Sequence, residues 1–239
     1  DPIRERLVMS LATFVGNNGN LLIEDPLAAH SVALKQPVLN NHELEQIRSI
    51  DTGIFQAKTL QCYFRSDGKP GSLQKALDRL CRYAVDAVQD GFEVLILSDR
   101  AIDSDHAPIP SLLSTAAVHH HLIRKGFRGQ VGLVVEAGDV WEVHHFACLI
   151  GFGATAINPY LALSTIRDMR LNDKLETTLE PDQLKKNYIK AVNDGLHGRV
   201  SRQSGAAKSL QNLADRTWPS PKALHDLKLE PSQLRSWHT

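Results

Sequence analysis

Five of the eleven histidines stand in two short stretches, AAVHHHLIRKG (116–126) and VWEVHHFACLIG (140–151). Imidazole is the commonest metal ligand and a proton carrier near neutral pH, so both chemistries are tested first. On a helix, consecutive residues diverge by about 100°, and a shared ion needs an i, i+3 or i, i+4 pair. His119, His120 and His121 therefore cannot converge on one ion. The nearest pair with usable spacing is His144 with Cys148, which lacks further ligands at recognisable spacing. His119 shares the helical stripe of Leu112, Ala116 and Ile123, which predicts a packed, hydrogen-bonded imidazole.

Two other patterns suggest chemistry. GFGATA (151–156) has the Gly-x-Gly-x-x-Ala spacing of dinucleotide-binding turns, but such a turn must follow a strand and open a helix. Here it closes a helix and leads into a strand, so its glycines read as a C-cap and tight turn. The loop SDRAIDSDH gathers Asp99, Arg100, Asp103, Asp105 and His106 after an apolar run. Ser98 has no nucleophile elbow around it, and two loop aspartates are ordinarily solvated or capping. This loop is a candidate interdomain or ligand loop. No catalytic, cofactor-binding or metal-ligating residues are assigned.

The elements that would position these groups read as α/β. DPIRERLVMSLATFVG and DPLAAHSVAL both start with Asp-Pro and carry helical periodicity, KQPVLNN is extended, and Asn40 or Asn41 can cap HELEQIRSI. From residue 55 a strand (FQAKTLQCYF) precedes an amphipathic helix capped by Ser72. VLIL (94–97) then forms an apolar run without alternation, as expected of a strand buried on both faces. Helix 109–126, strand QVGLVVEAG, helix 139–153, strand ATAINP and helix YLALSTIRDMR continue the alternation. That pattern predicts right-handed crossovers and a mostly parallel sheet of about four βα units, either an open sheet or a partial barrel, preceded by a helical segment. In such sheets ligands meet the carboxyl ends of the strands, here LSDR, VEAGD and INPY. A further helix, EPDQLKKNYIKAVNDGL, should end at Gly195–Leu196, and PSPKALHDL and EPSQLRSW are short helical signals.

Boundaries are expected at 1–54 (a helical linking segment), 55–196 (the α/β body) and 197–239. The last stretch is basic, with seven Lys and Arg against Asp215, Asp226 and Glu230. Net charge is zero, 42% of residues are hydrophobic and 23% charged, values of an ordinary globular chain. The basic excess is too diffuse for nucleic-acid binding. There is no apolar run of spanning length, and three cysteines without paired spacing exclude a disulfide framework or a self-contained metal cluster. The chain begins with Asp1, which reads as a processed or excised product.

The phrases DPIRERLVMSL, GNLL, PVLNNHEL, FQAKTL, ALDRLC, LILSDR, PIPSLLSTAAVHHHLIRKG, GLVVE, EVHHFACLIGFGATAINPYLAL and NYIKAV occur in the order seen in glutamate synthases. From Asp1 to about Leu196 the chain resembles their central domain. The resemblance implies a module linking a glutamine amidotransferase domain to an FMN-binding domain, with ammonia passing between them and an iron-sulfur cluster receiving electrons from ferredoxin or a pyridine-nucleotide-dependent subunit. FMN and the cluster are expected in neighbouring domains and no cofactor in this chain. The chain is expected to lack a complete active site, having neither the amidotransferase cysteine at its start nor a cluster motif. The loop matching PVLNN would lie by the ammonia passage, which makes Asn40 and Asn41 candidate lining residues, with one of them also a helix cap. The expected location is cytoplasmic, or plastid for a plant-type enzyme, with no nucleic-acid or membrane partner. The alternative is a stand-alone small-molecule-binding α/β domain using the 99–106 loop, or a fragment without function. After Gly195 the sequence leaves the resemblance.

Overall fold

The structure is a computed structural model, and it describes residues 10–18, 31–50, 55–175 and 177–204, with side chains in the last helix to residue 197. Strands β1 (Thr13–Gly16) and β2 (Ser31–Leu34) pair as an antiparallel ribbon. Helix α1 (Asn41–Ser49) follows, then β3 (Ala57–Gln61), β4 (Tyr63–Arg65) and α2 (Ser72–Gln89). Next come β5 (Val94–Ser98), β6 (His106–Pro108), α3 (Ser111–Lys125), β7 (Gly132–Glu136) and α4 (Val143–Gly151). The order closes with β8 (Ala156–Asn158), α5 (Tyr160–Leu171) and α6 (Pro181–Ser204).

Four strands form a parallel sheet in the order β3-β5-β7-β8, so the α/β reading and its four parallel strands hold. The order never reverses. Right-handed crossovers then place every connecting helix on one face, as in a stretch of (β/α) barrel, and no switch-point crevice of the doubly wound kind arises. Alternation along the strands decides what each face meets. Leu60, Leu95, Leu97 and Leu133 pack with Leu77, Leu80, Val118 and Leu122 of α2 and α3. Val94, Ile96, Val134 and Ala156 point the other way, onto Val15, Leu39, Leu44 and Ile47.

That second face would be the inside of a barrel, and here the chain's beginning covers it. Two stretches expected to be helical are therefore strands instead: Thr13–Gly16 and Ser31–Leu34 make the β1–β2 ribbon, which lays Val15 on the sheet beside α1. The helical spacing of Leu11 and Phe14 was real, but Phe14 faces solvent and Val15 is fully buried, the alternation of a strand. The helical starts at 1–9 and 25–30 lie outside the described residues, as does the stretch 205–239 with its two helical signals.

Three local expectations shift. Gly71, with φ 83°, holds the position before α2, and Ser72 is its first residue, its hydroxyl donating to Asp67. The buried stripe of α3 is Thr115, Val118 and Leu122; Ile123 is half exposed. Two periodic stripes one residue apart were available on α3, and docking on the sheet selected the second. Helix α6 continues past Gly195 to Ser204, because Gly195 is a contact and not a stop: a Cβ there would lie 2.6 Å from Val143 Cγ2 of α4.

Candidate functional site

The carboxyl ends of β5, β7 and β8 meet in one polar cluster centred on Glu136, the last residue of a strand whose other members are Gly132, Leu133, Val134 and Val135. Its side chain is 1% exposed, and burying a carboxylate requires charged or hydrogen-bonded partners. Three groups meet it: the Ser98 hydroxyl at 2.6 Å, Arg48 Nη2 at 2.7 Å and Arg100 Nη1 at 3.0 Å. Arg48 comes from α1 on the covering face, so this ion pair ties the N-terminal segment to the sheet. Arg100 also lies over the Tyr160 ring, 5.0 Å from its centroid.

Asp99 is buried beside this cluster. It accepts the Gly138 N–H at 2.9 Å and bonds with the Tyr160 hydroxyl. Burial pushes its carboxyl above the usual range, against the pull of those two donors, and burial together with Asp99 pushes the Tyr160 phenol upward. The crevice between Cys62, Asp99, Ser114 and Glu136 has no room for a water molecule.

The 99–106 loop does not act as one group. Asp99 and Arg100 join the cluster, whereas Asp103, Asp105 and His106 lie out at the small antiparallel β4–β6 pair. There Asp103 Oδ1 is 2.8 Å from His106 Nδ1 and accepts the Asp105 N–H at 2.8 Å. The hydrogen bond from His106 holds the Asp103 carboxyl below the usual range.

Asn40 and Asn41 also diverge. Asn40 is the N-cap of α1: its Oδ1 accepts the Glu43 N–H at 2.9 Å while Glu43 Oε2 accepts the Asn40 N–H at 2.8 Å, a capping box. Asn41 turns inward, its Oδ1 accepting from Asn158 Nδ2 at 3.1 Å. The segment before them is stitched to the sheet edge, with Ile157 N–H donating to Pro37 O and Leu39 N–H to Ile157 O. On its outer side lies an open polar cleft of about 500 Å³, lined by Gln36, Asn40, Glu43, Ile189 and Asn193 among others. Asn193 Nδ2 donates to Gln36 Oε1 at 2.6 Å, and its buried Oδ1 has no partner among the described residues.

The histidine stretches meet each other. His119 Nδ1 accepts from Arg128 Nε at 2.9 Å, and the same guanidinium donates to Val131 O and Gly153 O. Gly153 belongs to the GFGATA turn, which does close α4 and lead into β8. Burial first, then Arg128 and His120, holds His119 down at about 4, so the imidazole is neutral and accepting. His144 Nε2 is 3.5 Å from Cys148 Sγ. Among the described residues no three His, Cys, Asp or Glu side chains converge as a metal site.

A family model described as the glutamate synthase central domain matches residues 1–205. The chain belongs to the glutamate synthase central-domain family. Similar proteins include ferredoxin-dependent glutamate synthase 1, chloroplastic/mitochondrial, of Arabidopsis thaliana, 44% identical over 82% of this chain and 13% of that protein. Ferredoxin-dependent glutamate synthase 2 of Synechocystis sp. is 41% identical over 84% of this chain and 14% of its own length. The NADH glutamate synthase of Schizosaccharomyces pombe is 34% identical over 82% and 9%. The chain thus spans about a seventh or less of the relatives it matches. Arg48, Glu136, Asn158, Tyr160 and Asn193 escaped residue-level reading of this central domain. Glu136 and Asn158 did stand in the strand-end phrases; Arg48 and Asn193 look like ordinary helix-surface residues.

Proposed function

We propose that the chain works as the linking and ammonia-guiding module of a glutamate synthase, between a domain that releases ammonia from glutamine and an FMN domain that condenses it with 2-oxoglutarate and reduces the product to glutamate. FMN and an iron-sulfur cluster belong to those neighbouring domains, and ferredoxin is the proposed electron source, in keeping with the names of the plant and cyanobacterial relatives. A pyridine-nucleotide source is the alternative, as the fission yeast relative's name indicates. A plastid or cytoplasmic setting follows, and among the described residues no helix is long and apolar enough to cross a membrane.

The observation that carries this reading is the polar cleft beside the Pro37–Asn40 strand. Its wall carries the paired amides of Gln36 and Asn193 beside Asn40 and Glu43, polar groups with which a small hydrogen-bonding solute can exchange partners. Asn40 shapes the cleft mouth by capping α1, and Asn41 holds the segment down through Asn158.

The test replaces the matching segment of a full-length ferredoxin-dependent relative with residues 1–205. Glutamate formed per glutamine hydrolysed is compared with and without Gln36→Leu and Asn193→Leu. The expected result is a fall in that ratio, with glutamine hydrolysis and glutamate formation from added ammonium unchanged. An unchanged ratio refutes the guiding role.

A further inference from the structure

The parallel strands keep their alternation to their carboxyl ends. Ile96, Val134 and Ala156 face the covering segment, so Ser98, Glu136 and Asn158, each two residues further on, face it as well. They form a polar inner layer beneath α1, which brings Arg48 to Glu136 and Asn41 to Asn158.

Two buried atoms of this layer have no hydrogen-bond partner among the described residues. Asn158 is fully enclosed and its Nδ2 donates to Leu39 O at 3.0 Å and Asn41 Oδ1 at 3.1 Å, yet its Oδ1 accepts nothing. Arg48 directs Nη1 to Glu45 and Nη2 to Glu136, and its Nε is the second orphan. Glu136 links the two residues, since it holds Arg48 at 2.7 Å and has Asn158 as its register partner in β8. Buried groups of this kind are ordinarily satisfied.

A molecule that satisfies both must accept one hydrogen bond and donate another. Ammonium has no lone pair for the Arg48 N–H. It would also join two guanidiniums, Arg48 and Arg100, that already face the single carboxylate of Glu136. Asp99, the other carboxyl nearby, is engaged by Gly138 and Tyr160. A neutral molecule the size of ammonia or water meets the requirement. The layer also adjoins the cleft: Leu39 O and Asn41 Oδ1 face Asn158, while Gln36 and Asn40 of the same segment line the cleft on its outer side.

We propose that Arg48 and Asn158 hold one molecule of neutral ammonia behind the cleft, with Arg48 Nε–H donating to its lone pair and one of its N–H groups donating to Asn158 Oδ1. The proposal rests on the ammonia-guiding reading of the cleft and adds that the species held is ammonia, not ammonium. Water makes the same two bonds when no ammonia is supplied, so ammonia enters by exchange.

The test is a carbon-13 NMR titration of the 239-residue chain with ammonium chloride, followed at Arg48 Cζ and Asn158 Cγ, against sodium chloride at equal ionic strength. Running it at two pH values with the same total ammonium changes the neutral share alone. Both signals should shift, saturate and follow the neutral concentration. Arg48→Met, which keeps the Asn158 amide, should weaken the response at Asn158 about tenfold or more, as expected for loss of a charged donor. No saturating shift in the unaltered chain, or one that follows total ammonium, overturns the proposal, as does an unweakened response in a folded Arg48→Met chain. A silent titration together with a lowered glutamate yield in the cleft variants refutes this site and leaves the guiding role standing. A saturating titration with an unchanged yield supports the site and refutes the guiding role.

Discussion

Gly153→Ala tests whether the histidine helix and the GFGATA turn form one locked unit. Gly153 has φ 102°, where a side chain costs roughly 1–3 kcal/mol. A Cβ there would also overlap the His119 ring, only 2.6 Å from its Cγ, so the imidazole must leave. That breaks the hydrogen bond from Arg128 Nε, a charged donor worth about 1.5–3 kcal/mol. The two contributions together predict a loss of about 2.5–6 kcal/mol, a large part of a typical domain's roughly 5–15 kcal/mol. Urea denaturation of the wild-type and variant chains measures it. The decisive comparison is the same change in a His119→Ala background, where the ring is gone and only the backbone cost of about 1–3 kcal/mol should remain. If the two substitutions are additive to within about 0.5 kcal/mol, the overlap argument is wrong.

Further outcomes follow from the other contacts. Glu136→Gln leaves Arg48 and Arg100 facing a neutral amide and should destabilise by about 3 kcal/mol in the same assay, the expected cost of breaking a buried pair from one side. Asn40→Ala should cost about 1 kcal/mol and Asn40→Ser almost nothing, since serine also caps; equal losses would show that capping is not its structural task. His119 titrates near 6.5 when unfolded and about 4 when folded, so unfolding takes up a proton between those values. Its contribution is complete above pH 6.5 and shrinks as pH falls toward 4, by about 1–2 kcal/mol after allowance for partial exposure. A His119→Gln chain should lose that part of the pH dependence in denaturation midpoints, and an unaltered profile would contradict the neutral-acceptor assignment.

The local parts of this protein were legible in its sequence. VLIL and LVV are unbroken apolar runs because β5 and β7 are covered on both faces, and the turn-punctuated helices between them follow from capping and periodicity over a few residues. The strand ends LSDR, VEAGD and INPY were recognisable as the polar end of the sheet, and Asn40 as a cap. The family phrases extended that reading to the chain's place in a larger enzyme.

What the tertiary structure alone decided lies where one residue depends on another far along the chain. The β1–β2 ribbon became strand because the sheet's second face needed cover, a demand that local periodicity does not carry. Arg48 and Glu136 are 88 residues apart, Asn41 and Asn158 are 117 apart, and Gln36 and Asn193 are 157 apart. Arg48, Gln36 and Asn193 look like ordinary surface polar residues by sequence, and none of the six names its partner. Each is placed by the need to satisfy a buried charge or amide, and only the folded chain determines which partner is within reach.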